Sequence, residues 1–476
     1  MKAKLWPVFV VVSIIAIALT ANGCGSSARS TPVTPSALGA KMWTWVSGSN
    51  IVLQTGNYGK QGISASSNVP GAREWAVSWT DSQGNFWLFG GFIYDSTSGE
   101  GCLNDLWEYD GTNWTWISGS NTKDQTGNYG KLGTPASSNV PGARGESLSW
   151  IDAGGNLWLF GGIGYDSTGN DGYLNDLWKY DVKNNTWTWV SGSNTILQIG
   201  HYGKQGTAAS SNVPGARFAG ESGSWIDSQG NLWLFGGSGV DSVGTQGLLN
   251  DLWKYDVTNN TWTWVSGSST ASQLGNYGNQ GTPSSSNIPG ARYGAVSWID
   301  SHDNLWLFGG FGYDSAGSGG CLNDLWKYDG TNNTWTWVSG SSTASQLGNY
   351  GNQGTPSSSN IPGAREGAVS WIDSAGNFWL FGGAFYDYSV SSYLVSLNDL
   401  WKYDGANWTW VSGSSGLNQL GSYGTLGTPG SSNVPGARYG AVSWMDSAGN
   451  LWLFGGGYWN DSNTLVYFND LWKYIP

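Results

Sequence analysis

The chain is poor in histidine, cysteine and charged residues. Its 476 residues include two His and three Cys, and only 11% are Asp, Glu, Lys or Arg. With so few Cys and His ligands, a structural zinc centre is excluded. Lys and Arg number 20 against 32 acidic residues, which gives a formal net charge of −12. Because that charge would repel a phosphate backbone, nucleic acid is excluded as a partner.

Glycine and aromatic residues are abundant instead. The chain holds 75 Gly and 33 Trp, and Phe, Trp and Tyr together make up 15% of it. Disordered chains are depleted in aromatic residues, so this composition indicates a folded protein.

The first 23 residues have the pattern of a secretory signal peptide. Lys2 and Lys4 form a basic start, and an apolar run of about 15 residues follows, which is short for a membrane span of about 20. The run ends before Cys24, in a sequence that resembles a bacterial lipoprotein cleavage box. The resemblance implies lipidation of Cys24, although Ala21 and Asn22 depart from the usual pattern. An ordinary secretory signal with an unmodified Cys is the alternative.

Residues 24–41 are rich in Ser, Thr and Pro and are interpreted as a flexible tether. If Cys24 is lipidated, Gly25 stands where an Asp commonly retains lipoproteins at the inner membrane. We therefore expect an outer-membrane or cell-surface location, with a secreted or periplasmic protein as the alternative. The membrane is expected as a partner only through this anchor.

Six repeats account for residues 42–476. The tripeptide Phe-Gly-Gly recurs at spacings of 71, 75, 73, 73 and 73 residues, always within the order PGAR, SW, a polar turn, LFGG, NDLW and WTW. Five of the 33 Trp belong to each repeat, so only Trp6, Trp75 and Trp459 lie outside the pattern. A repeat of this kind predicts a modular array or a propeller.

Each repeat contains four strand-like runs. In the second repeat they cover about Gly145–Ile151, Asn156–Gly161, Leu174–Tyr180 and Thr186–Val190. The run NLWLFGG is apolar at alternate and intervening positions, which indicates a strand buried on both faces. Short polar sequences between the runs are typical of hairpin turns. Four antiparallel strands in stacked sheets describe a propeller blade.

The order PxxR, Gly-Gly, NDLWxYD and Trp resembles the kelch repeat, the unit of the galactose oxidase central domain. The resemblance covers residues 43 to 476 and implies an all-β, six-bladed, monomeric propeller. Trp43-Thr44-Trp45 is expected to supply the fourth strand of the last blade, which removes the open sheet edges. The expected blades span about 70–117, 141–190, 214–265, 289–338, 362–411, and 435–476 with 43–46.

Both long connections of each blade, between strands 2 and 3 and between strand 4 and the next strand 1, should emerge on one face. We name this the loop-bearing face and expect function there. The PGAR arginines would form a circle near its centre. They either bind an anion, or are buried against their own blade or paired with a carboxylate. The six are Arg73, Arg144, Arg217, Arg292, Arg365 and Arg438.

The predicted ligand site is at the meeting point of the last and first blades. Trp75 and Trp459 break the repeat there, with Glu74 and Tyr458 nearby and Arg73 and Arg438 beside them. Exposed aromatic rings beside a carboxylate are typical of sugar binding. Extra packing between these two blades is the alternative.

Catalysis is a further alternative. Glu146 with Arg144, or Glu221 with Arg217, could serve an acid–base reaction on a sugar, as in kelch-type mutarotases. A galactose oxidase-type copper site is not expected, because His201 and His302 fall on opposite faces. No cofactor is predicted. Cys102 and Cys321 occupy equivalent positions half a turn apart, too far for a disulfide.

The sequence thus favours an exported binding protein that recognises a glycan or a protein on its loop-bearing face. A sugar-modifying enzyme and an architectural envelope scaffold are the alternatives.

Overall fold

A computed structural model describes residues 41–95, 99–220, 223–386, 394–460, 462 and 464–476. The described residues form 37 β-strands and contain no helix. No helix long and apolar enough to cross a membrane occurs in these ranges. The predicted signal peptide, Cys24 and nearly all of the predicted tether lie outside the described residues.

One strand precedes repeat 1, and the first three repeats contain 18 strands. Before and in repeat 1 they are β1 (Met42–Ser47), β2 (Val77–Thr80), β3 (Phe86–Phe89), β4 (Phe92–Asp95), β5 (Gly99–Cys102), β6 (Leu106–Tyr109) and β7 (Trp114–Ser118). In repeat 2 they are β8 (Arg144–Gly145), β9 (Leu148–Ile151), β10 (Leu157–Phe160), β11 (Ile163–Tyr165), β12 (Asp171–Tyr173), β13 (Leu177–Asp181) and β14 (Thr186–Ser191). In repeat 3 they are β15 (Arg217–Phe218), β16 (Ser224–Ile226), β17 (Leu232–Val240), β18 (Gln246–Asp256) and β19 (Thr261–Ser266).

The last three repeats contain 18 strands. In repeat 4 they are β20 (Arg292–Tyr293), β21 (Val296–Ile299), β22 (Leu305–Phe308), β23 (Phe311–Tyr313), β24 (Gly319–Cys321), β25 (Leu325–Asp329) and β26 (Thr334–Ser339). In repeat 5 they are β27 (Val369–Ile372), β28 (Phe378–Phe381), β29 (Ala384–Tyr386), β30 (Leu394–Ser396), β31 (Leu400–Tyr403) and β32 (Trp408–Ser412). In repeat 6 they are β33 (Val442–Met445), β34 (Leu451–Phe454), β35 (Gly457–Trp459), β36 (Leu465–Tyr467) and β37 (Leu471–Ile475).

Each repeat forms one antiparallel sheet with four main strands, except that the sheet of repeat 6 takes its fourth strand, β1, from before repeat 1. We number these sheets 1 to 6. Their strand orders are β2-β3-β6-β7, β9-β10-β13-β14, β16-β17-β18-β19, β21-β22-β25-β26, β27-β28-β31-β32 and β33-β34-β37-β1. In the last sheet, β1 pairs antiparallel with β37, so the predicted pairing of Trp43-Thr44-Trp45 with the last repeat is present. The four strand-like runs predicted for repeat 2 are confirmed to within a few residues.

The hydrophobic core lies between the sheets. In sheet 1 all four residues of β3 are buried, as expected for a strand covered on both faces. Six buried clusters each combine residues of two consecutive sheets, and one of them joins sheet 6 to sheet 1. Trp444 of sheet 6, for example, donates its indole N–H to the carbonyl of Trp87 in sheet 1. The six small sheets are therefore stacked side by side, in an arrangement consistent with a propeller.

The connections after the Gly-Gly pairs form hairpins, which the sequence did not predict. The hairpins are β4–β5, β11–β12, β23–β24, β29–β30 and β35–β36. In sheet 3 the corresponding hairpin is continuous with the long strands β17 and β18. In repeats 2 to 4 a short strand that begins at the PGAR arginine pairs with this hairpin. The PGAR segment is thereby fixed next to the extended part of its own sheet.

Candidate functional site

The six PGAR arginines are buried and paired with the aspartates of NDLW. Each guanidinium donates two hydrogen bonds to the carboxylate of its own repeat, with N–O distances of 2.6 to 2.8 Å, and both side chains are at most 1% exposed. The remaining N–H groups of Arg73, for example, donate to the backbone carbonyls of Gly71 and Gly90. The arginines therefore match the alternative in which they pair with a carboxylate. Their guanidinium groups have almost no exposed surface with which to bind an anion.

The aspartate of each pair accepts two further hydrogen bonds. In repeat 4, Asp324 accepts from the hydroxyl of Tyr277 at 2.6 Å and from the indole of Trp326 at 2.7 Å. Burial and the negative charge of the aspartate raise the pKa of Tyr277. The tyrosine belongs to the long connection before PGAR, so this connection is attached to the sheet that follows it. We name each set of Arg, Asp, Tyr and Trp an anchor cluster.

The anchor clusters give the NDLW aspartates a role in joining segments of the chain. These carboxylates bind arginine, tyrosine and tryptophan side chains of their own repeat. The six clusters are Arg73–Asp105–Tyr58–Trp107, Arg144–Asp176–Tyr129–Trp178, Arg217–Asp251–Tyr202–Trp253, Arg292–Asp324–Tyr277–Trp326, Arg365–Asp399–Tyr350–Trp401 and Arg438–Asp470–Tyr423–Trp472.

Six backbone hydrogen bonds join the segments that follow the arginines. Each N–H donates to the carbonyl of the preceding repeat at 2.7 to 3.1 Å, and the last bond returns to the first residue. We name this series the backbone circuit; its members are Trp75, Glu146, Ala219, Gly294, Gly367 and Gly440. Because every repeat supplies one member, the circuit brings the residues after all six arginines to one place.

Trp75 fills the space inside the backbone circuit. Its indole is in contact distance of three glycines of other repeats, since a Cβ added at Gly220, Gly367 or Gly440 would lie 2.5 to 2.9 Å from the ring. Its φ of +54° is one that glycine tolerates better, and Gly367 and Gly440 have φ of +61° and +60° at the equivalent position. Trp75 is only 8% exposed, so the expectation of an exposed ring is wrong.

Three glutamates lie next to Trp75. Glu74 and Glu366 are 5% and 4% exposed, and Glu146 is half-buried. One carboxyl oxygen of each has no exposed surface and no hydrogen-bond partner within the described ranges. Other oxygens accept hydrogen bonds from tyrosine, from Tyr439 and Tyr467 to Glu74 and from Tyr293 to Glu366. We name these seven residues, Trp75 included, the central cluster.

The glutamates of the central cluster have raised pKa values. Burial and the negative charge of Glu366 raise the pKa of Glu146 to about 8. Burial raises the pKa of Glu366 to about 7, against the lowering effect of the Tyr293 hydroxyl. Burial, followed by the charges of Glu146 and Glu100, raises the pKa of Glu74 well above its ordinary value. Perturbed carboxyl groups of this kind concentrate at functional sites.

The other predicted ligand residues lie around this centre. Trp459 packs on the apolar cluster of Trp75, Ala384 and Tyr439 and hydrogen-bonds to Tyr439. Tyr458 stacks on Phe468 with ring centroids 5.5 Å apart. Trp75, Trp459 and Glu74, which the sequence placed in one predicted site, lie near one another in the structure. Glu366, Tyr293, Tyr439 and Tyr467 were not predicted as members of that site. Glu366, Tyr293 and Tyr439 stand directly after a PGAR arginine, which is the signal that could have found them.

The predicted Glu–Arg catalytic pairs have no geometric support. Arg144 is bound to Asp176 and Arg217 to Asp251, so neither guanidinium is available to a neighbouring glutamate. Glu221 lies outside the described residues. Within the described ranges, no group of three or more His, Cys, Asp or Glu side chains could hold a metal ion. Cys102 and Cys321 are buried free thiols.

Comparisons with known proteins give no family assignment. No protein-family model and no curated protein match the chain. One solved structure that matches is described as "Structure of YjhT"; it is 14% identical, covers 87% of this chain and 95% of its own, and has a TM-score of 0.49. The fold described above therefore rests on the sheets and hydrogen bonds of this chain.

Proposed function

We propose that this protein is an exported, lipid-anchored, six-bladed kelch-type propeller that binds a glycan at its central cluster. The six blades are the six sheets, one from each repeat. Three observations support a closed circle: the pairing of β1 with β37, the hydrophobic cluster between sheets 6 and 1, and the backbone circuit that returns to Trp75. In such a circle the central cluster lies near the axis, toward the loop-bearing face.

The unpartnered carboxyl oxygens carry the proposal of binding. A buried polar atom without a partner costs about 1–3 kcal/mol, and a ligand that hydrogen-bonds to it removes that cost. Here three such oxygens, from Glu74, Glu146 and Glu366, adjoin one indole and three tyrosines. Sugar hydroxyl groups donate to carboxylates, and the C–H faces of a sugar stack on aromatic rings. Glu146 is the most exposed of the three glutamates.

A glycan array probed with the purified protein tests the binding proposal. We expect a defined set of glycans to bind and Glu146→Gln to weaken their binding at least tenfold, because the amide replaces a carboxyl acceptor. Glu108→Gln is the matched control, since Glu108 lies on β6 in a main strand of sheet 1 and should leave binding unchanged. If no glycan binds, the proposal is wrong and a protein ligand or an envelope scaffold takes its place.

A sugar-modifying activity is the second candidate, and the raised pKa values of the neighbouring Glu146 and Glu366 carboxyl groups favour it, because one of the two can keep its proton while the other is ionised. A neutral carboxyl could protonate the ring oxygen while a carboxylate takes the proton of the anomeric hydroxyl, which opens the ring. Reclosure on the other face returns both protons and yields the other anomer. Proton NMR of freshly dissolved sugars tests this activity: interconversion of anomers must be faster with the protein than with Glu146→Gln.

Export and lipidation are tested by radiolabelled palmitate in a bacterial host. We expect label on the protein and its loss in Cys24→Ser, because the thiol of Cys24 is the proposed acceptor. Membrane release of the unlabelled variant would support the anchor. Label on both proteins would contradict the assignment of Cys24.

A further inference from the structure

The central cluster contains acidic groups without a matching positive charge. The arginines next to Glu74 and Glu366 are Arg73 and Arg365. They form ion pairs with Asp105 and Asp399 in their anchor clusters, so neither neutralises the adjacent glutamate. The effects that act on the Glu366 and Glu146 carboxyl groups are burial, a tyrosine hydroxyl and another glutamate, with no cation among them. The central cluster therefore offers the cationic groups of a ligand three acidic side chains that lack a counter-ion among the described residues.

Aromatic rings surround the same acids. Trp75 and Tyr439 lie with ring centroids 6.0 Å apart, and the Tyr439 hydroxyl donates to Glu74. The Tyr293 hydroxyl likewise donates to Glu366. Faces of Trp and Tyr attract organic cations, and carboxylates attract them further when water is excluded. The combination favours a protonated amine, because both the aromatic faces and the carboxyl groups attract it.

We infer that the ligand of the central cluster is a glycan with free amino groups, bound through its ammonium groups to Glu74, Glu146 and Glu366 and through its ring face to aromatic side chains. This inference rests on the proposed function and narrows it to one class of sugar. Acetylation of the amine removes the charge while it keeps the ring hydroxyls. An N-acetylated glycan should therefore bind much more weakly than its deacetylated counterpart.

Binding of an ammonium group should also release protons. Because the pKa values of Glu146 and Glu366 lie near 8 and 7, these carboxyl groups are partly neutral at pH 7. A cation beside them favours their ionised form, so protons pass to the buffer. A neutral sugar does not favour the ionised carboxyl groups, so its binding should release no protons. Proton release thus distinguishes an amino sugar from a neutral one by a measurement that does not depend on a variant.

The test is calorimetric titration of the purified protein at pH 7 and about 0.15 M salt, where weak long-range attraction to a negative protein is screened. The probes are a tetramer of β-1,4-linked glucosamine, the N-acetylated tetramer of the same linkage, and tetralysine. We expect the glucosamine tetramer to bind at least tenfold more tightly than either other probe. Its apparent enthalpy should vary with the ionisation enthalpy of the buffer. Glu366→Gln should weaken binding, and the control Glu108→Gln should not.

Each other result overturns the inference in a distinguishable way. Equal or tighter binding of the N-acetylated tetramer would leave a neutral glycan site and the proposed function intact. Equal binding of tetralysine would mean that charge alone is recognised and that sugar is not. If none of the probes and no glycan of the array binds, the proposed function itself is wrong. Thermal unfolding of Glu366→Gln, compared with the unsubstituted protein, separates lost binding from lost folding.

Discussion

The anchor clusters and the central cluster use the same kinds of residues in opposite ways. In all six anchor clusters, a buried carboxylate is satisfied by one arginine, one tyrosine and one tryptophan. In the central cluster, buried carboxyl groups keep an oxygen without a partner, and the residues after the arginine differ from repeat to repeat. Uniform, fully paired charges at six positions indicate a structural role, and the varied, incompletely paired charges of the central cluster are the basis of the proposed ligand site.

The largest expected effect on stability comes from removing the carboxylate of one anchor cluster. Asp324→Ala leaves the Arg292 guanidinium buried without a counter-ion and removes the acceptor of Tyr277 and Trp326. Loss of one partner from a buried ion pair costs about 3–5 kcal/mol. We expect a fall of this size in the free energy of unfolding, measured by guanidinium denaturation with tryptophan fluorescence.

A double variant serves as the control for this prediction. In Arg292→Met with Asp324→Leu both charges are absent, so we expect a smaller loss of stability than in Asp324→Ala. Asp176→Ala should match Asp324→Ala to within about 1 kcal/mol if the clusters are equivalent structural units. An unchanged free energy of unfolding in Asp324→Ala would contradict the structural role of the anchor clusters.

The sequence predicted most of the sheets because their signals are local and occur six times. The run FWLF of β3 is apolar at every position, which only burial on both faces explains, and the order PGAR to NDLW fixes where each sheet begins. The pairing of Arg73 with Asp105 was one of two open alternatives. Spacing alone could not decide it, because the two residues are 32 positions apart and meet only through the sheet.

The centre was harder to predict because its contacts join residues of different repeats. Trp75 contacts glycines of repeats 3, 5 and 6, and nothing in the local sequence of these glycines identifies an indole as their neighbour. We expected an exposed Trp75 ring because exposed aromatic rings are typical of sugar binding, but the hydrogen bonds of the backbone circuit place the Trp75 side chain inside the circuit. The acids and tyrosines that follow each arginine were visible as deviations from the repeat, whereas their convergence was not.

The pH dependence of stability provides a second, intermediate effect. Glu146 and Glu366 have folded pKa values of about 8 and about 7, against 4.5 as the ordinary value. The folded state therefore retains protons that the unfolded state releases, so their contribution to stability falls as pH rises from about 5 to about 9. The groups that face them include Glu74, Tyr293 and Tyr439.

We expect Glu146→Gln to gain stability relative to the unsubstituted protein by about 1–3 kcal/mol between pH 5 and pH 9, since the amide cannot ionise. Thermal unfolding at pH 5, 7 and 9 measures this difference. Asp446, which follows β33 in sheet 6, provides the contrast. Burial raises its pKa, but hydrogen bonds from Asn450 and Trp452 lower the pKa by more than burial raises it, so the pKa of Asp446 lies below its ordinary value. Its contribution is lost as pH falls, so Asp446→Asn should show its difference at acidic pH. A pH-independent difference for Glu146→Gln would contradict the raised pKa.

The smallest expected effect is the difference in stability cost between alanine substitutions at two glycines that both have a left-handed backbone conformation. Gly367 belongs to the backbone circuit, with φ of +61°, and Gly354 lies in the connection between sheets 4 and 5, with φ of +78°. A Cβ at Gly367 would lie 2.7 Å from the indole of Trp75, whereas at Gly354 it would meet no described atom within 4 Å. Alanine at either position costs about 1–2 kcal/mol of backbone strain, and overpacking at Gly367 adds about 1–3 kcal/mol.

A double-mutant cycle measures whether the added cost at Gly367 comes from Trp75. We expect Gly367→Ala to destabilise the protein more than Gly354→Ala in guanidinium denaturation. In the Trp75→Gly background the two substitutions should cost nearly the same, because the indole that the new methyl group would meet is absent. Equal costs in the unsubstituted protein would mean that Trp75 does not fill the circuit. Since Trp75→Gly also empties the space beside Glu74, the same background should admit a larger ligand while it loses the aromatic face.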